Sequence, residues 1–305
     1  MKGKTPTETF DCVIVGAGPA GLVAAIYLAR FRRSVLVIAD GTSRARHIPR
    51  SHNIPGFPEG IPGPDILRRL RRQAKDAGAA MRKDRVDKLS HVPKGFKVGI
   101  GGTHVLAATV ILATGSSDHR PIPGLSSKMT WDGKVRWCPI CDGYESMDRR
   151  IVLVADSAHG SDHALFVRTY TSDLTLVVVP GGVPMAGPDR RQLSLAGIRL
   201  IEDSPVKVVV GADEGVLKLS GGESLPFDVL YPMTGSHGRS SLARALHARF
   251  TRSGDLRVDA HQQTSVKGLY AAGDIVSSLK QISVAFSEGA KAATAIHRSL
   301  PPNFR

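Results

Sequence analysis

Cysteine is scarce in this chain. Three occur in 305 residues, too few for a secreted scaffold that relies on disulfide staples. Aromatic residues make up only 5%. No helix-turn-helix, zinc-finger or interleaved aromatic–basic pattern occurs, so the sequence reads against nucleic acid as a partner. Acidic residues are in deficit: 27 Asp and Glu stand against 41 Lys and Arg, leaving a net charge of +14. The arginines fall in scattered groups, Arg30, Arg32 and Arg33, then Arg44, Arg46 and Arg50, then Arg68, Arg69, Arg71 and Arg72. That scatter reads as a solvated basic surface, with an acidic protein partner as the sharper alternative. Apolar runs long enough to cross a membrane are missing. The run from Val13 is broken by Gly16, Gly18 and Gly21, so no signal peptide is read, and a disordered tail of about nine residues, opening on the basic stretch Met1–Pro6, is expected. A cytoplasmic protein in a reducing compartment is the expectation.

What the chain does have is a hydrophobic content of 42%, ample for more than one core. Phe10–Val15 is a short apolar run, followed by Gly16-Ala17-Gly18-Pro19-Ala20-Gly21 and an apolar stretch from Leu22 to Ala29. This predicts strand, turn and helix. Gly16 permits the tight turn, Gly18 lets backbone N–H groups approach a diphosphate, and Gly21 lets the helix pack close to the strand. A second strand, Ser34–Ala39, ends at Asp40, whose carboxylate can accept hydrogen bonds from an adenosine ribose. In this context the motif reads as a dinucleotide site formed by Gly16, Gly18, Pro19, Ala20, Gly21 and Asp40.

Ile54–Pro64 reads as a loop and Pro64–Ala77 as an amphipathic helix. Phe96–Ile100 and Val105–Ala107 flank Gly101-Gly102 as a hairpin. Thr109–Ala113 is a strand ending at Thr114-Gly115. The pattern then restarts, with Ile151–Ala155 as strand, Ala164–Tyr170 as helix and Leu174–Val179 as strand, a second βαβ unit. Val206–Leu219 and Phe227–Tyr231 add strands. Gly268–Asp274 is a strand ending in Gly-Asp, and Ile282–Ser299 is a long helix.

Between the two units lies Cys138-Pro139-Ile140-Cys141-Asp142-Gly143-Tyr144-Glu145. The first turn of a helix brings two such sulfurs within bonding reach, and a helix N-terminus favours the thiolate. Asp142 is placed to give or take a proton beside the second sulfur. These residues read as a redox dithiol. An accidental pair is one alternative. Half of a zinc site is the other; it needs two more ligands, and the only remaining cysteine is Cys12, in an apolar run, with no suitably spaced histidine pair read beside the motif.

Together these pieces resemble the low-molecular-weight thioredoxin reductase family of FAD-dependent disulfide oxidoreductases. The matching segments are Gly16–Gly21, Asn53-Ile54-Pro55-Gly56-Phe57-Pro58, Ala113-Thr114-Gly115, Cys138–Gly143, and Ala271-Ala272-Gly273-Asp274 with Lys280-Gln281. The resemblance implies an α/β fold with two Rossmann-like nucleotide-binding domains of three-layer ββα type. The FAD-binding domain would be discontinuous, residues 1–118 and 243–305, with an inserted central NADPH-like domain, 119–242, carrying the Cys-x-x-Cys motif. It implies that Asn53, Val86, Thr114, Gly115, Gly273, Asp274, Lys280, Gln281 and Ile282 contact FAD. It further implies that Cys141 faces the flavin, Cys138 exchanges with substrate, Asp142 is the acid/base, and the protein is a homodimer.

The sequence departs from the family in the central domain. Ala155-Asp156-Ser157-Ala158-His159-Gly160 stands where the family has Gly-x-Gly-x-x-Ala. Val178-Val179-Pro180-Gly181-Gly182 stands where the family has a His-Arg-Arg group that pairs with a 2′-phosphate. Arg190 and Arg191 are the cations that could compensate. The first reading is therefore an FAD-dependent disulfide oxidoreductase that does not use NADPH. Its exchange partner would be a thioredoxin-like protein or a small dithiol or disulfide, and its donor an acidic electron carrier such as ferredoxin. Pro139 and Gly143-Tyr144-Glu145 resemble the related flavin-dependent dithiol oxidases, which pass electrons to oxygen, so that direction is the alternative. A non-catalytic redox-sensing flavoprotein is the third reading.

Overall fold

The first Gly-rich turn lies between a strand buried on both faces and a helix that packs on one of them, and the rest of the fold repeats this arrangement. The computed structural model describes residues 7–119, 122–179, 185–211, 214–276 and 279–304. Met1–Pro6, the opening of the expected tail, and Pro180, Gly181 and Gly182, at the expected phosphate-reading position, lie outside the described residues. In chain order the elements begin with β1 (Thr9–Val15), α1 (Pro19–Arg30), β2 (Val35–Ala39), α2 (Gly63–Asp76), β3 (Ala80–Lys83), β4 (Val86–Val92), β5 (Gly95–Ile100) and β6 (Thr103–Leu112). Next come β7 (Ser116–Asp118), α3 (Ser127–Trp131), α4 (Pro139–Asp142), β8 (Ile151–Ala155), α5 (Gly160–Val167), β9 (Leu174–Val178), α6 (Gly187–Leu195) and β10 (Arg199–Glu202). The last are β11 (Pro205–Val210), β12 (Gly215–Leu219), β13 (Ser224–Phe227), β14 (Val229–Met233), β15 (Ser236–Gly238), α7 (Ser241–Ala245), β16 (Leu269–Ala271) and α8 (Ile282–Ser299).

The chain divides into two compact units, the first from Met1–Arg46, Gly63–Ser117 and His237–Arg305, the second from His47–Pro62 and Asp118–Ser236. Residues 47–62, placed by the sequence reading in the first domain, group with the second unit. The return to the first unit falls at His237 rather than 243.

In the first unit the strand order is β3-β2-β1-β6-β5-β4, with β16 also paired to β6. β3, β2, β1, β6 and β16 run parallel, while β5 and β4 are antiparallel. Alternate side chains enter two cores. Cys12, Ile14, Val35 and Val37 pack with α1 and α8 on one face. Val13, Val15, Leu36 and Ile38 pack with Phe96 and Val98 on the other. Burial on both faces explains why these strands read as unbroken apolar runs. The hairpin turn at Gly101 and Gly102 has positive φ at both positions, 52° and 84°, the requirement of a two-residue turn whose twist matches the strands. Val105–Ala107 and Thr109–Ala113, read as separate elements, are one strand through Leu112, because β6 pairs with β1 and β5 on its two edges.

In the second unit the parallel order is β10-β9-β8-β14. Ile151, Leu153, Leu176 and Tyr231 face α5 and α6. Val152, Val154, Val177 and Leu230 face the antiparallel sheet β11-β12-β13. The helix expected over Ala164–Tyr170 runs instead over Gly160–Val167. Its first turn, Gly160-Ser161-Asp162-His163, carries no apolar residue to reveal it. Each unit therefore has the Rossmann-like α/β layering expected from the sequence.

In the first unit α8 crosses α1 at Gly289. A Cβ there would land on the backbone carbonyl of Ala20 and within 3.2 Å of Ala24 N. Backbone cannot yield as a flexible side chain can. Gly289→Ala is therefore expected to cost about 1–3 kcal/mol by overpacking, read as a lowered urea midpoint with an unchanged m-value. An unchanged midpoint would contradict this close approach.

Candidate active site

The redox motif is anchored by the edge of the second unit's parallel sheet. Leu230 N donates to Lys134 O at 2.9 Å and Arg136 N donates to Leu230 O at 2.9 Å, so residues 134–136 extend the sheet beside β14. This delivers Cys138 as the N-cap of α4. Cys141 N and Asp142 N both donate to Cys138 O, at 2.9 and 3.2 Å, which folds the two cysteines onto one turn. Cys138 and Cys141 form a disulfide. The turn is sealed by Gly143, where any Cβ would strike the ring of Tyr170.

Asp142 is largely withdrawn from water. Burial pushes its pKa up to about 6, opposed by the nearby Arg136 guanidinium and by a hydrogen bond from Tyr231. Tyr231 Oη donates to Asp142 Oδ1 at 2.9 Å, and Arg136 Nη1 stands 3.6 Å from Oδ2. The 47–62 segment closes on the same motif. Asn53 Nδ2 donates to Ile140 O at 3.4 Å, Asn53 Oδ1 accepts from Ser51 Oγ at 2.9 Å, and His52 Nδ1 lies 3.1 Å from Glu145 Oε1. Asn53, expected at the flavin, thus sits within the second unit, against the redox turn.

The first unit gathers most of the other expected cofactor residues at the carboxyl ends of β1, β2, β6 and β16, with Val86 apart from them at the start of β4. Gly16 has a φ of 113°, and a Cβ on it would strike Ala113 O; a Cβ on Gly21 would strike Gly16 O. Only glycine fits either place. Gly18 caps α1 without a side-chain hydrogen bond, and Pro19 opens the helix. Ala20 is buried at the α1–α8 crossing. Asp40 is fixed by Thr42 Oγ1 and Thr42 N, both on Oδ1, at 2.6 and 3.0 Å, and these bonds hold its pKa below the ordinary value. Thr114 Oγ1 donates to Arg239 O at 2.7 Å, while Gly115 adopts a φ of 70°. Gly273 N donates to Glu288 Oε2 at 2.6 Å, and Asp274 pairs with Arg44 at 3.1 Å. Gln281 is the N-cap of α8, with no side-chain cap, and Ile282 starts the helix beside Lys280. Val86 is buried in the sheet core at the start of β4. An uncapped helix N-terminus above a turn that admits only glycine fits the diphosphate of FAD.

The corresponding turn of the second unit is built differently. After β8, Asp156 Oδ1 accepts from His159 N at 2.9 Å and lies 3.2 Å from His159 Nδ1. A carboxylate of the chain itself thus stands in the turn that leads into α5, bonded to the N–H of the N-cap residue His159. His163 is held below its ordinary pKa, first by burial and then by His159. Arg190 is engaged by Glu202 at 2.6 Å and donates to Met185 O; Arg191 is exposed on α6.

Two Rossmann-type units, one bearing a Cys-x-x-Cys disulfide beside a buried carboxyl, define a disulfide oxidoreductase. The chain belongs to the pyridine nucleotide-disulphide oxidoreductase family, whose model matches residues 10–289. It is 30% identical over 302 residues to the thioredoxin reductase of Streptomyces coelicolor, spanning 94% of this chain and 92% of that one. It is 28% identical to NADPH-dependent thioredoxin reductase 3 of Arabidopsis thaliana, spanning 96% of this chain and 59% of that one. The crystal structure of HlmI matches with a TM-score of 0.88 at 27% identity, covering 97% of this chain and 94% of that one. The chain is a thioredoxin reductase-like, flavin-dependent disulfide oxidoreductase, and its family implies FAD. No helix among the described residues is long and apolar enough to cross a membrane.

Sequence reasoning missed Arg136, Ser146 and Tyr231. Tyr231 lies in an apolar strand run and carries no local sign of a polar task. A histidine pair with His-x3-His spacing was also overlooked: His159 and His163 stand together on α5, their rings 6.3 Å apart. Among the described residues no group of three or more His, Cys, Asp or Glu could hold a metal ion.

Cys12 is buried between β2 and β6, with its thiol pushed up to about 12 by burial. Native oxidised protein should therefore show no thiol reactive toward a disulfide reagent at pH 8. Reduction should expose Cys138 and Cys141, and Cys12 should react only after denaturation. Rapid labelling of Cys12 in the native state would contradict its placement.

Proposed function

We propose that this protein exchanges an electron pair between FAD and the Cys138–Cys141 disulfide, and from there with a thioredoxin-like protein or a small dithiol or disulfide, without a nicotinamide cofactor as donor. Bound FAD supplies the two-electron carrier that the side chains lack. The Gly16–Gly21 turn and the N-terminus of α1 hold its diphosphate, and Asp40 holds its ribose. Thr114, Gly115, Gly273 and Asp274 border it, and the positive end of α8 at Gln281 and Ile282 favours the negative charge of the reduced form. Cys141 serves the flavin side and Cys138 the exchange partner. Asp142 moves the proton that a thiolate gains when the disulfide opens.

The observation that carries the donor reading is the carboxylate of Asp156 in the turn just before the N-terminus of α5. A diphosphate needs that terminus open, and glycines beneath it. Here it would meet a negative charge, worth roughly 1 kcal/mol of repulsion in water and about 4 at an effective dielectric of 20 for a 4 Å separation. Asp156 is half-exposed, so its repulsion lies between those limits. Val179 adds no cation for a 2′-phosphate, and losing two charge-assisted contacts forfeits about 1.5–3 kcal/mol each. The relative named NADPH-dependent makes the point a sharp one to test. With a surface at +14, the donor that fits is an acidic carrier, docking at a rate that falls with salt.

Stopped-flow absorbance under anaerobic conditions decides it. NADPH and NADH at micromolar concentration are expected to leave the flavin oxidised over seconds. Rapid bleaching by either would overturn the donor reading.

A further inference from the structure

Three polar groups reach Asp142 from different elements. Tyr231 Oη, from β14, donates to Oδ1 at 2.9 Å and lies 3.3 Å from Asp142 O. Ser146 Oγ, from the turn after α4, lies 3.0 Å from Tyr231 Oη and donates to Asp142 O at 3.0 Å. Arg136 Nη1 stands 3.6 Å from Oδ2 and donates to Asp142 O at 3.2 Å. Glu145 also faces Asp142 and opposes its ionisation, and its own Oε1 lies 3.1 Å from His52 Nδ1. The ring of Tyr231 is fully buried on the helical face of the second unit, so its hydroxyl has a fixed place.

A count of protons gives this cluster a purpose. Arg136 has no acceptor, so among the described contacts of the Asp142 carboxyl the side chain that can accept its proton is Tyr231, at Oδ1. When Asp142 is a carboxylate, Tyr231 donates to Oδ1. When it is an acid, Oδ1–H donates to Tyr231 Oη, and the tyrosine proton turns to Asp142 O or Ser146 Oγ. The same two hydroxyls satisfy both forms, and nothing else among the described contacts does so.

We propose that Tyr231 is a positioning residue of the dithiol centre, which holds Asp142 in one orientation and, with Ser146, accommodates the gain and loss of its proton during disulfide exchange. The proposal rests on the reading of Asp142 as the group that protonates the departing thiolate. With dithiothreitol as reductant, one of its thiolates attacks Cys138 Sγ and the Cys138–Cys141 bond breaks. Cys141 leaves as thiolate and takes the Asp142 proton. The second thiolate of dithiothreitol then displaces Cys138, so the reagent is oxidised to its disulfide and the enzyme pair is reduced. Tyr231 lowers the affinity of Asp142 for its proton by donating to the charged form, so its loss lets the acid persist to higher pH.

The experiment is the rate of opening of Cys138–Cys141 by dithiothreitol in the holoprotein across pH, quenched by alkylation and read by mass. The rate is corrected for the thiolate fraction of the reagent. Wild type is expected to show a limb near pH 6, falling as Asp142 loses its proton. In Tyr231→Phe, which keeps the buried ring, the limb should move alkaline by about one pH unit, tenfold in ionisation constant. In Asp142→Asn the limb should vanish. A limb that stays in place in Tyr231→Phe overturns the role of Tyr231, even if the overall rate changes. A limb that survives in Asp142→Asn overturns the reading of Asp142 itself, a separate result. Should Tyr231→Phe yield no soluble protein, Ser146→Ala decides: a smaller alkaline shift supports the relay, and an unmoved limb overturns it.

Discussion

A carboxyl buried beside a disulfide is the arrangement on which this protein's chemistry depends. Burying a charge without partners is costly, and an Asp in that position takes up a proton before it distorts the fold. At Asp142 the balance stays near neutrality because Arg136 and Tyr231 partly restore what burial removes. Both partners are placed by the same strand. Leu230 of β14 hydrogen-bonds the segment that carries Arg136, and the next residue, Tyr231, points its ring into the opposite core. The backbone of one strand thus sets the register of the redox motif along the sheet edge, and the side chain of its next residue supplies the hydroxyl that bonds Asp142. Gly143, pressed against Tyr170, keeps the turn from relaxing away.

The two units use one architecture to opposite effect. Each has a parallel strand, a turn and a helix whose N-terminus can hold an anion. In the first, Gly16 and Gly21 are places where any side chain would collide with backbone, and Gly18 leaves the helix uncapped. In the second, the turn carries Asp156 and Ser157 in place of glycine, and the Asp156 carboxylate is held by the N–H of His159 just before the helix. Its fold is nonetheless intact, with β8, β9 and β14 buried on both faces. This unit carries the redox motif, and that task demands a rigid sheet whether or not a nucleotide binds its crevice.

Much of the fold could be read from the sequence because burial on both faces writes itself as apolar runs. β1, β2, β8 and β9 are of this kind, whereas the long α8 was legible from the small residues of its one buried side, Ala285, Gly289, Ala292 and Ala293. The glycine turn was equally plain, since backbone collision leaves one residue type. The start of α5 was not visible, because its first turn is polar and its N-cap, His159, makes no side-chain cap bond. The grouping of residues 47–62 with the second unit was hidden too. It rests on contacts such as Asn53 with Ile140 and His52 with Glu145, which join parts of the chain remote in sequence. Cys138, Cys141 and Asp142 announced themselves by spacing. Tyr231 did not, because a tyrosine in an apolar strand looks the same whether its hydroxyl serves a carboxyl or merely finds a carbonyl.

The central claim is that a flavin and the Cys138–Cys141 pair hold electrons in series. Anaerobic titration of the holoprotein with dithionite, followed by absorbance and by alkylation of the cysteines, measures this directly. The account predicts uptake of one electron pair by the flavin and a second by the disulfide, with the second missing when both cysteines are replaced by serine. A wild-type protein that takes up a single pair, its flavin fully bleached and its disulfide still closed, would contradict it.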